Sequence, residues 1–496
     1  MTGRILLFLG LTAALGAQSS PPAPNFVQSL DLRSPQGPRI SPDGARVVYN
    51  VRRADWEHNA YISQLWLAAS SGQGAPVQLT RGAKSAAAPE WSPDGRAIAF
   101  LAERPQDREA KPKPAARQIW IIAPGGGEAW QLTHHATDVE SFHWSPDGRR
   151  IAFTAAAAEN AASKARTKRY SDYKVFEHDF RQAELWTIPP QPDSAASALV
   201  RDAKLDVGGF AWSPDGARIA FSATADPALA DSGSADIYVV GSRPGASPRR
   251  VVDLPGPNTN PHFSPDGRAL AFNTAMGAPD FFYANRRIAS VRLDDPEAKP
   301  VDVSAGFDED ANVLGWGLQG IYFSAQRKTS AQVYRLIPGG EVQRLTSADT
   351  YRATAPSFSH DFSRWAFLGS DPNHMAEVEV SPTASFQPVR LTDFQAQLAG
   401  YRLGRAEVIS WTSHDGATIE GVLHKPADFV AGRKYPLLVV IHGGPTGVSN
   451  AALNPADSYY PIQRFLARGA LVLEPNYRGS AGYGAAFRKL NVRNLG

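Results

Sequence analysis

Apolar and polar positions alternate in a short motif that returns along most of the chain. The segments "ARVVYNV" (45–51), "RAIAFLA" (96–102), "RRIAFTA" (149–155), "ARIAFSA" (217–223) and "RALAFNT" (268–274) each read as a strand rich in β-branched, aromatic and small apolar residues. Directly before each stands Ser-Pro-Asp-Gly, with its serine at Ser41, Ser92, Ser145, Ser213 or Ser264. Proline pre-sets the first central residue of a type I turn and glycine follows the second, so the tetrapeptide joins two antiparallel strands. Most units then carry a third strand, such as "QLWLA", "QIWII", "ELWTI" or "DIYVV", and a short closing element such as "VQLT" or "WQLT".

The five serines are 51, 53, 68 and 51 residues apart. Two weaker copies extend the series. Gly317-Leu318-Gln319-Gly320 and Ser359-His360-Asp361-Phe362 occupy the turn position 53 and then 42 residues further on. Seven units at a period of roughly 40 to 50 residues predict an all-β, seven-bladed propeller over 25–395. The long interval locates an insertion at 155–182. Its Lys164, Arg166, Lys168 and Arg169 invite a nucleic-acid reading, against which stands a solvated loop on one face of the ring. His134 and His135, with Asp138 nearby, are not expected to hold a metal, because adjacent side chains of a strand point apart.

Near residue 400 the pattern changes. "AEVISWTSHDGATIEGVLHKP" reads as a hairpin around a His-Asp-Gly turn, followed by the linker "ADFVAGRK". "YPLLVVIHGGP" then reads as a continuous apolar strand of the kind found in sheets covered on both faces. Tyr459, Ile462, Phe465 and Leu466 show helical spacing, with Gly469 as the stop, before the strand "ALVLEPNYRGSAGYG". Strand, helix, strand predicts the opening of an α/β sheet over 400–496.

Composition narrows the chemistry. The chain has 496 residues, 43% apolar and 20% charged, with 51 Lys plus Arg against 48 Asp plus Glu. The net charge of +3 is too small to argue for nucleic acid or an acidic membrane as partner. There is no cysteine, which excludes disulfides, thiolate metal sites and a cysteine nucleophile. Arg4, the apolar run Ile5 to Leu15 and the small pair Gly16-Ala17 have the layout of a secretory signal over 1–17, with an uncleaved anchor as the other reading. The run is short for a bilayer span, so the expectation is export, with no membrane contact after cleavage.

His442, Gly443 and Gly444 follow the apolar strand directly. The glycines free the backbone to turn sharply and aim N–H groups into a cleft. In α/β-hydrolases one oxyanion-hole donor comes from such a loop after the third strand. His442 either shares that role or packs and hydrogen-bonds the loop while the glycines act. A hydrolase of this fold also needs Ser, then Asp or Glu, then His along the chain. After the loop the serines are Ser449, Ser458 and Ser480, the aspartate is Asp457, and no histidine follows His442. Ser480 in "RGSAG" lacks the elbow motif, since Arg478 stands where its first glycine belongs.

The repeated turns followed by "SHDGATIEGVLHKP", "KYPLLVVIHGGP" and "NYRGSAGYG" resemble the prolyl oligopeptidase family of serine peptidases, nearest its acylaminoacyl-peptidase and dipeptidyl-peptidase branch with TolB-like propellers. The resemblance covers nearly the whole chain after the signal. It implies a serine hydrolase that cleaves short peptides, capped by a propeller that limits substrate size, with no cofactor. It implies an oxyanion loop at His442, Gly443 and Gly444, and a supporting motif at Asn476, Tyr477, Arg478 and Gly479. It also places the insertion carrying Tyr173, Phe176 and Glu177 where dipeptidyl peptidases hold the substrate amine, with Glu177 as the candidate group. The missing triad implies a fragment, inactive by itself, whose nucleophile, acid and base lie beyond Gly496. The alternative is a non-catalytic propeller that serves as a protein-binding platform.

Overall fold

The computed structural model of the protein describes residues 23–104, 116–171, 180–228, 233–347, 349–455 and 460–494. Among them the strands form seven successive four-stranded antiparallel sheets, over 34–78, 86–131, 139–200, 206–252, 259–302, 311–344 and 352–390. Within each sheet the spatial order of strands is the chain order, so each strand pairs with its neighbour in sequence, and the insertion lies between the paired strands Ile151–Ala156 and Ala183–Ile188 of the third sheet.

The turns that launch these sheets are held by their own side chains. Ser41 Oγ donates to Asp43 Oδ1 at 2.5 Å and accepts from Arg46 N–H at 2.9 Å, while Gly44 N–H donates to Ser41 O at 2.8 Å. Gly44 has φ +71°, a left-handed conformation that glycine adopts without steric cost. The same bonds recur at Ser92, Ser145, Ser213 and Ser264, and each serine is buried. Hydrogen bonds from these serines hold the Asp43, Asp94, Asp147, Asp215 and Asp266 carboxyls below their usual range. In the seventh sheet Ser359 and Asp361 repeat the device, with Phe362 at φ +56° in the glycine position. The sixth sheet uses a two-residue hairpin between Gly317 and Gly320, and Leu318 at its tip is 94% exposed.

Apolar side chains from adjacent sheets interlock at every seam. Phe142, Trp144 and Phe153 of the third sheet meet Leu101, Ile119 and Ile121 of the second. Equivalent clusters join the third to the fourth, and so on round to the seventh. The first sheet joins the second in the same way. Ile40, Val47 and Tyr49 of the first sheet also pack with Ala366, Val378 and Val380 of the seventh. Ile40 N–H donates to Ser357 Oγ at 3.0 Å and His360 N–H to Pro42 O at 3.1 Å across that junction. The sheets therefore close into a ring, a propeller fold in which second strands such as Ile98–Ala102 are buried along their whole length.

The insertion differs from the expected loop. Ala161–Tyr170 is an α-helix with no buried residue, capped by Asn160, whose side chain accepts from Ser163 N–H at 2.8 Å. Alanine, lysine and arginine are strong helix formers, so propensity and a cap suffice for this solvent-facing turn pattern. Tyr173, Phe176 and Glu177 lie outside the described residues, as do Asp457, Ser458, Tyr459 and the predicted signal at 1–17. His135 packs its ring edge-on against Trp186, 5.1 Å between centroids, and hydrogen-bonds Thr137. No helix among the described residues is long and apolar enough to cross a membrane.

After residue 400 an eighth sheet has mixed direction. The hairpin Arg405–Thr412 and Thr418–Lys425 pairs antiparallel with Leu471–Asn476, which pairs in parallel with Leu437–Val439. The helix Ile462–Ala467 packs Leu466 against Val440 and Val472, and Gly469 at φ +78° ends it. The expectation of a strand covered on both faces is not met: Leu437, Val439 and Ile441 are 54%, 46% and 65% exposed. Leu437–Val439 is the edge of the sheet, paired among the described residues with Leu471–Asn476 alone.

This second unit sits on one face of the ring. Ala451 N–H donates to Thr329 O at 3.0 Å, Leu453 N–H to Asp371 O at 3.1 Å, and Lys328 N–H to Gly482 O at 2.6 Å. Lys328 also pairs with Glu420 at 2.8 Å, and Arg488 with Asp310 at 3.2 Å. Lys328, Thr329 and Asp371 lie at turns joining second to third strands, at the opposite ends of the strands from the Ser-Pro-Asp-Gly turns.

Candidate active site

Gly443 and Gly444 lie just past the parallel strand, where the chain leaves the sheet. Both are exposed, and among the described residues no hydrogen bond uses their N–H groups. A side chain on Gly443 would meet open space. Gly444 has φ +125°, and a Cβ there would lie 2.7 Å from Gly447 N. Gly447 in turn could carry no side chain without colliding with Gly443 O. The loop therefore folds back on itself through glycine backbone, leaving two N–H groups open to solvent.

Asn476, Tyr477, Arg478 and Gly479 hold this loop from below. Asn476 is fully buried; its Oδ1 accepts from Ser449 N–H at 2.7 Å, and its Nδ2 donates to Ser449 O at 3.1 Å and Tyr483 OH at 3.0 Å. The Tyr477 hydroxyl donates to His442 O at 2.6 Å, and its ring stacks on the imidazole with centroids 4.3 Å apart. Arg478 forks onto the Asp415 carboxylate and donates to Ser413 Oγ at 2.6 Å, tying the motif to the hairpin turn. The Arg478 guanidinium pushes the Asp415 carboxyl down to about 2. Gly479, at φ +90°, leaves room for the Asn491 side chain that a Cβ would strike.

The fold also brings together a pair that the sequence order conceals. Along the chain Ser480 has no base, because no histidine follows it. In space His442 Nε2 lies 2.9 Å from Ser480 Oγ. Ser480 is nevertheless completely buried, and its hydroxyl also lies 2.7 Å from Tyr477 O, to which it can donate. A nucleophile must reach its substrate, and this hydroxyl faces only protein. Burial holds the His442 imidazole below its usual value, so it is neutral near pH 7 and has one N–H to share between Ser480 and Gly443 O, 3.1 Å from Nδ1. The pair is a strut under the loop.

Beside the loop a cavity of about 450 Å³ opens between ring and second unit, with His442, Gly443, Ser449, Asn450 and Glu474 in its walls. His424 Nε2 pairs with Glu474 Oε2 at 2.7 Å on one side. From the ring comes Arg352, whose buried Nε has no partner among the described residues. Neither Arg352 nor Gly447 stood out in the sequence. Gly447 had a signal, as a third glycine in "HGGPTG"; Arg352, one arginine among many on a ring strand, had none.

A propeller joined to a mixed α/β sheet, with a glycine loop at the end of its parallel strand, is the class that the fold defines. No protein-family profile matches the chain. It is 27% identical over 479 residues to the uncharacterized peptidase YuxL of Bacillus subtilis, covering 91% of this chain and 70% of that protein. Against dipeptidyl-peptidase 5 of Porphyromonas gingivalis it is 24% identical over 483 residues, 90% of this chain and 66% of the relative. Among solved structures, the acylaminoacyl peptidase of Pyrococcus horikoshii superposes with a TM-score of 0.72 at 18% identity, over 95% of this chain and 69% of that one. These similarities support a peptidase of the prolyl oligopeptidase family. The chain spans about two thirds of the length of these relatives.

Proposed function

We propose that the chain is the ring and oxyanion-loop portion of an exported serine peptidase that releases acylated amino acids or dipeptides from short peptides. The ring, 25–395, is a seven-bladed propeller that limits substrate size, and 400–496 is the opening part of an α/β-hydrolase domain. The carrying observation is the pair of open glycine N–H groups, Gly443 and Gly444, held beside a cavity by a buried asparagine and a stacked tyrosine. Donors fixed before reaction stabilise a developing oxyanion without reorganisation. A protein-binding platform has no use for such donors, which weighs against that alternative.

The nucleophile, acid and base of this reading are residues outside 1–496, and the segment 1–17 directs export. Two names support the substrate class: dipeptidyl-peptidase 5 among the relatives, and an acylaminoacyl peptidase whose structure is in complex with Z-Gly-Gly-Phe-chloromethyl ketone. A fluorophosphonate probe, which reacts with an activated serine, tests the assignment. The 496-residue chain should remain unlabelled, and a protein extended through the downstream reading frame should label at a serine in that extension. Stoichiometric labelling of the 496-residue chain that Ser480→Ala abolishes would overturn it. In the extended protein Gly444→Pro, which removes one donor, should lower kcat by about 10² to 10³ if that N–H stabilises the transition state.

A further inference from the structure

The ring seams carry a repeated cation device. At the fifth position after the turn serine, Arg46 reaches across to the second sheet, where its guanidinium lies 5.0 Å over Trp91 and donates to Gly95 O at 3.2 Å. Arg150 does the same to Trp212 and Gly216 O, at 5.3 and 3.2 Å. Arg218 does so to Phe263 and Gly267 O, at 5.5 and 2.7 Å. In each case the acceptors are the next sheet's turn glycine and the aromatic residue just before its serine.

Between the second and third sheets the receiving half is present and the donor is not. Trp144 precedes Ser145, and Gly148 ends the turn, but the fifth position after Ser92 is Ala97. The seam is otherwise built alike: a Cβ on Gly148 would lie 3.7 Å from Pro93, as one on Gly216 would lie 3.8 Å from Pro146. A cavity of about 470 Å³ occupies the place, walled by Asp94, Arg96, Ala97, Trp144, Asp147 and Gly148; the Arg96 side chain is largely exposed and its Nε stands 4.0 Å from Asp94 Oδ2, at the rim where an incoming guanidinium would compete with it. Trp91 and Trp212 donate their indole N–H to Arg39 O and His143 O, whereas the buried Trp144 Nε1 has no partner among the described residues. Ala269 also replaces the arginine in the fifth sheet, but the sixth turn that would face it lacks the Ser-Pro-Asp-Gly form.

We propose that this cavity binds a guanidinium group from outside the chain, that of an arginine side chain, between the Trp144 face, Gly148 O and the Asp94 carboxylate. An arginine fork stacked on an aromatic face is held by cation–π attraction and by directed donors that an ammonium cannot reproduce. The site lies at a first-to-second-strand turn, on the face of the ring away from the oxyanion loop. It does not depend on the peptidase reading.

Calorimetric titration of the 496-residue protein with Nα-acetyl-arginine amide tests it, with Nα-acetyl-lysine amide as the charge-matched control. The expected result is a single site that prefers the arginine amide by about tenfold or more. Ala97→Arg, which supplies the guanidinium from within, should abolish binding, and Asp94→Asn, which keeps the turn's acceptor, should weaken it severalfold. Arg218→Ala should open a second such cavity and raise the stoichiometry from one to two. If Ala97→Arg fails to fold, the wild-type preference and the Asp94→Asn variant still decide. Equal affinity for the two amides, or unchanged binding in Ala97→Arg, overturns the proposal. An extended peptide with a central arginine that binds more tightly than the amide assigns the guanidinium to a peptide, and weaker binding assigns it to a small free cation.

Discussion

The ring and the eighth sheet use the same kind of strand and bury it differently. Ile98–Ala102 in the ring and Leu437–Val439 in the second unit are both continuous apolar runs. The first is buried at every residue because a sheet lies on each side of it. The second leaves Leu437 and Val439 about half exposed, because it is an edge strand beside a single paired neighbour. An apolar run states a demand for cover; only neighbouring elements supply it.

The widest separation between the two regions should come from truncating their apolar side chains. Phe153→Ala removes a fully buried ring at a seam, with an expected loss of about 3–5 kcal/mol, whereas Val439→Ala should cost less than about 1 kcal/mol. Denaturant titration of both variants checks this, and equal losses would break the contrast.

The next effect sits under the glycine loop at 442–447. Asn476→Ala leaves the buried Ser449 N–H and C=O without their partner, an expected loss of roughly 2 kcal/mol. Hydrogen exchange should quicken at residues 447–450 and stay unchanged at the ring seams. Uniform acceleration would mean that the loop is not separately held.

A smaller effect joins the two regions. Glu309 accepts from Gly484 N–H at 3.3 Å across the contact, and burial pushes its carboxyl up to about 7. The folded state therefore holds this proton more tightly than the unfolded chain. The stabilisation is complete below about pH 4.5 and is lost as pH rises to about 7. Partial solvent exposure reduces the change to about 1–2 kcal/mol. Glu309→Gln should flatten that part of the stability–pH curve, and an unaltered slope would remove Glu309 as its source.

The smallest expected effect is at Arg478 and Asp415, which are partly exposed. Arg478→Lys loses the fork geometry, and the thermal midpoint should shift slightly at low salt and not measurably at high salt. A shift that survives high salt would show that the pair supports the loop more than its exposure implies.

Much of this molecule was legible in its residues. The turn Ser-Pro-Asp-Gly carries its own hydrogen-bond set, so five sheet starts could be placed from local chemistry alone. The two weaker copies were legible from spacing, although Phe362 replaces the glycine. "HGGP" marked the end of a strand and a loop with backbone to spare, since glycine's freedom is a property of the residue. The helix at Ala161–Tyr170 was missed because its charges suggested a loop, while its alanines and Asn160 cap favoured a helix.

What the tertiary structure decided is which distant groups meet. His442 and Ser480 are 38 positions apart and touch because two strands run parallel and end side by side. Arg352 reaches the cavity because the seventh sheet lies under the second unit. Ala97 matters only because Trp144 and Gly148 face it across a seam. Turns and strand alternation arise from interactions within a few residues, so sequence determines them. Seams, edges and cavities arise from surfaces meeting at long separation, where every neighbour must be placed before any one contact exists.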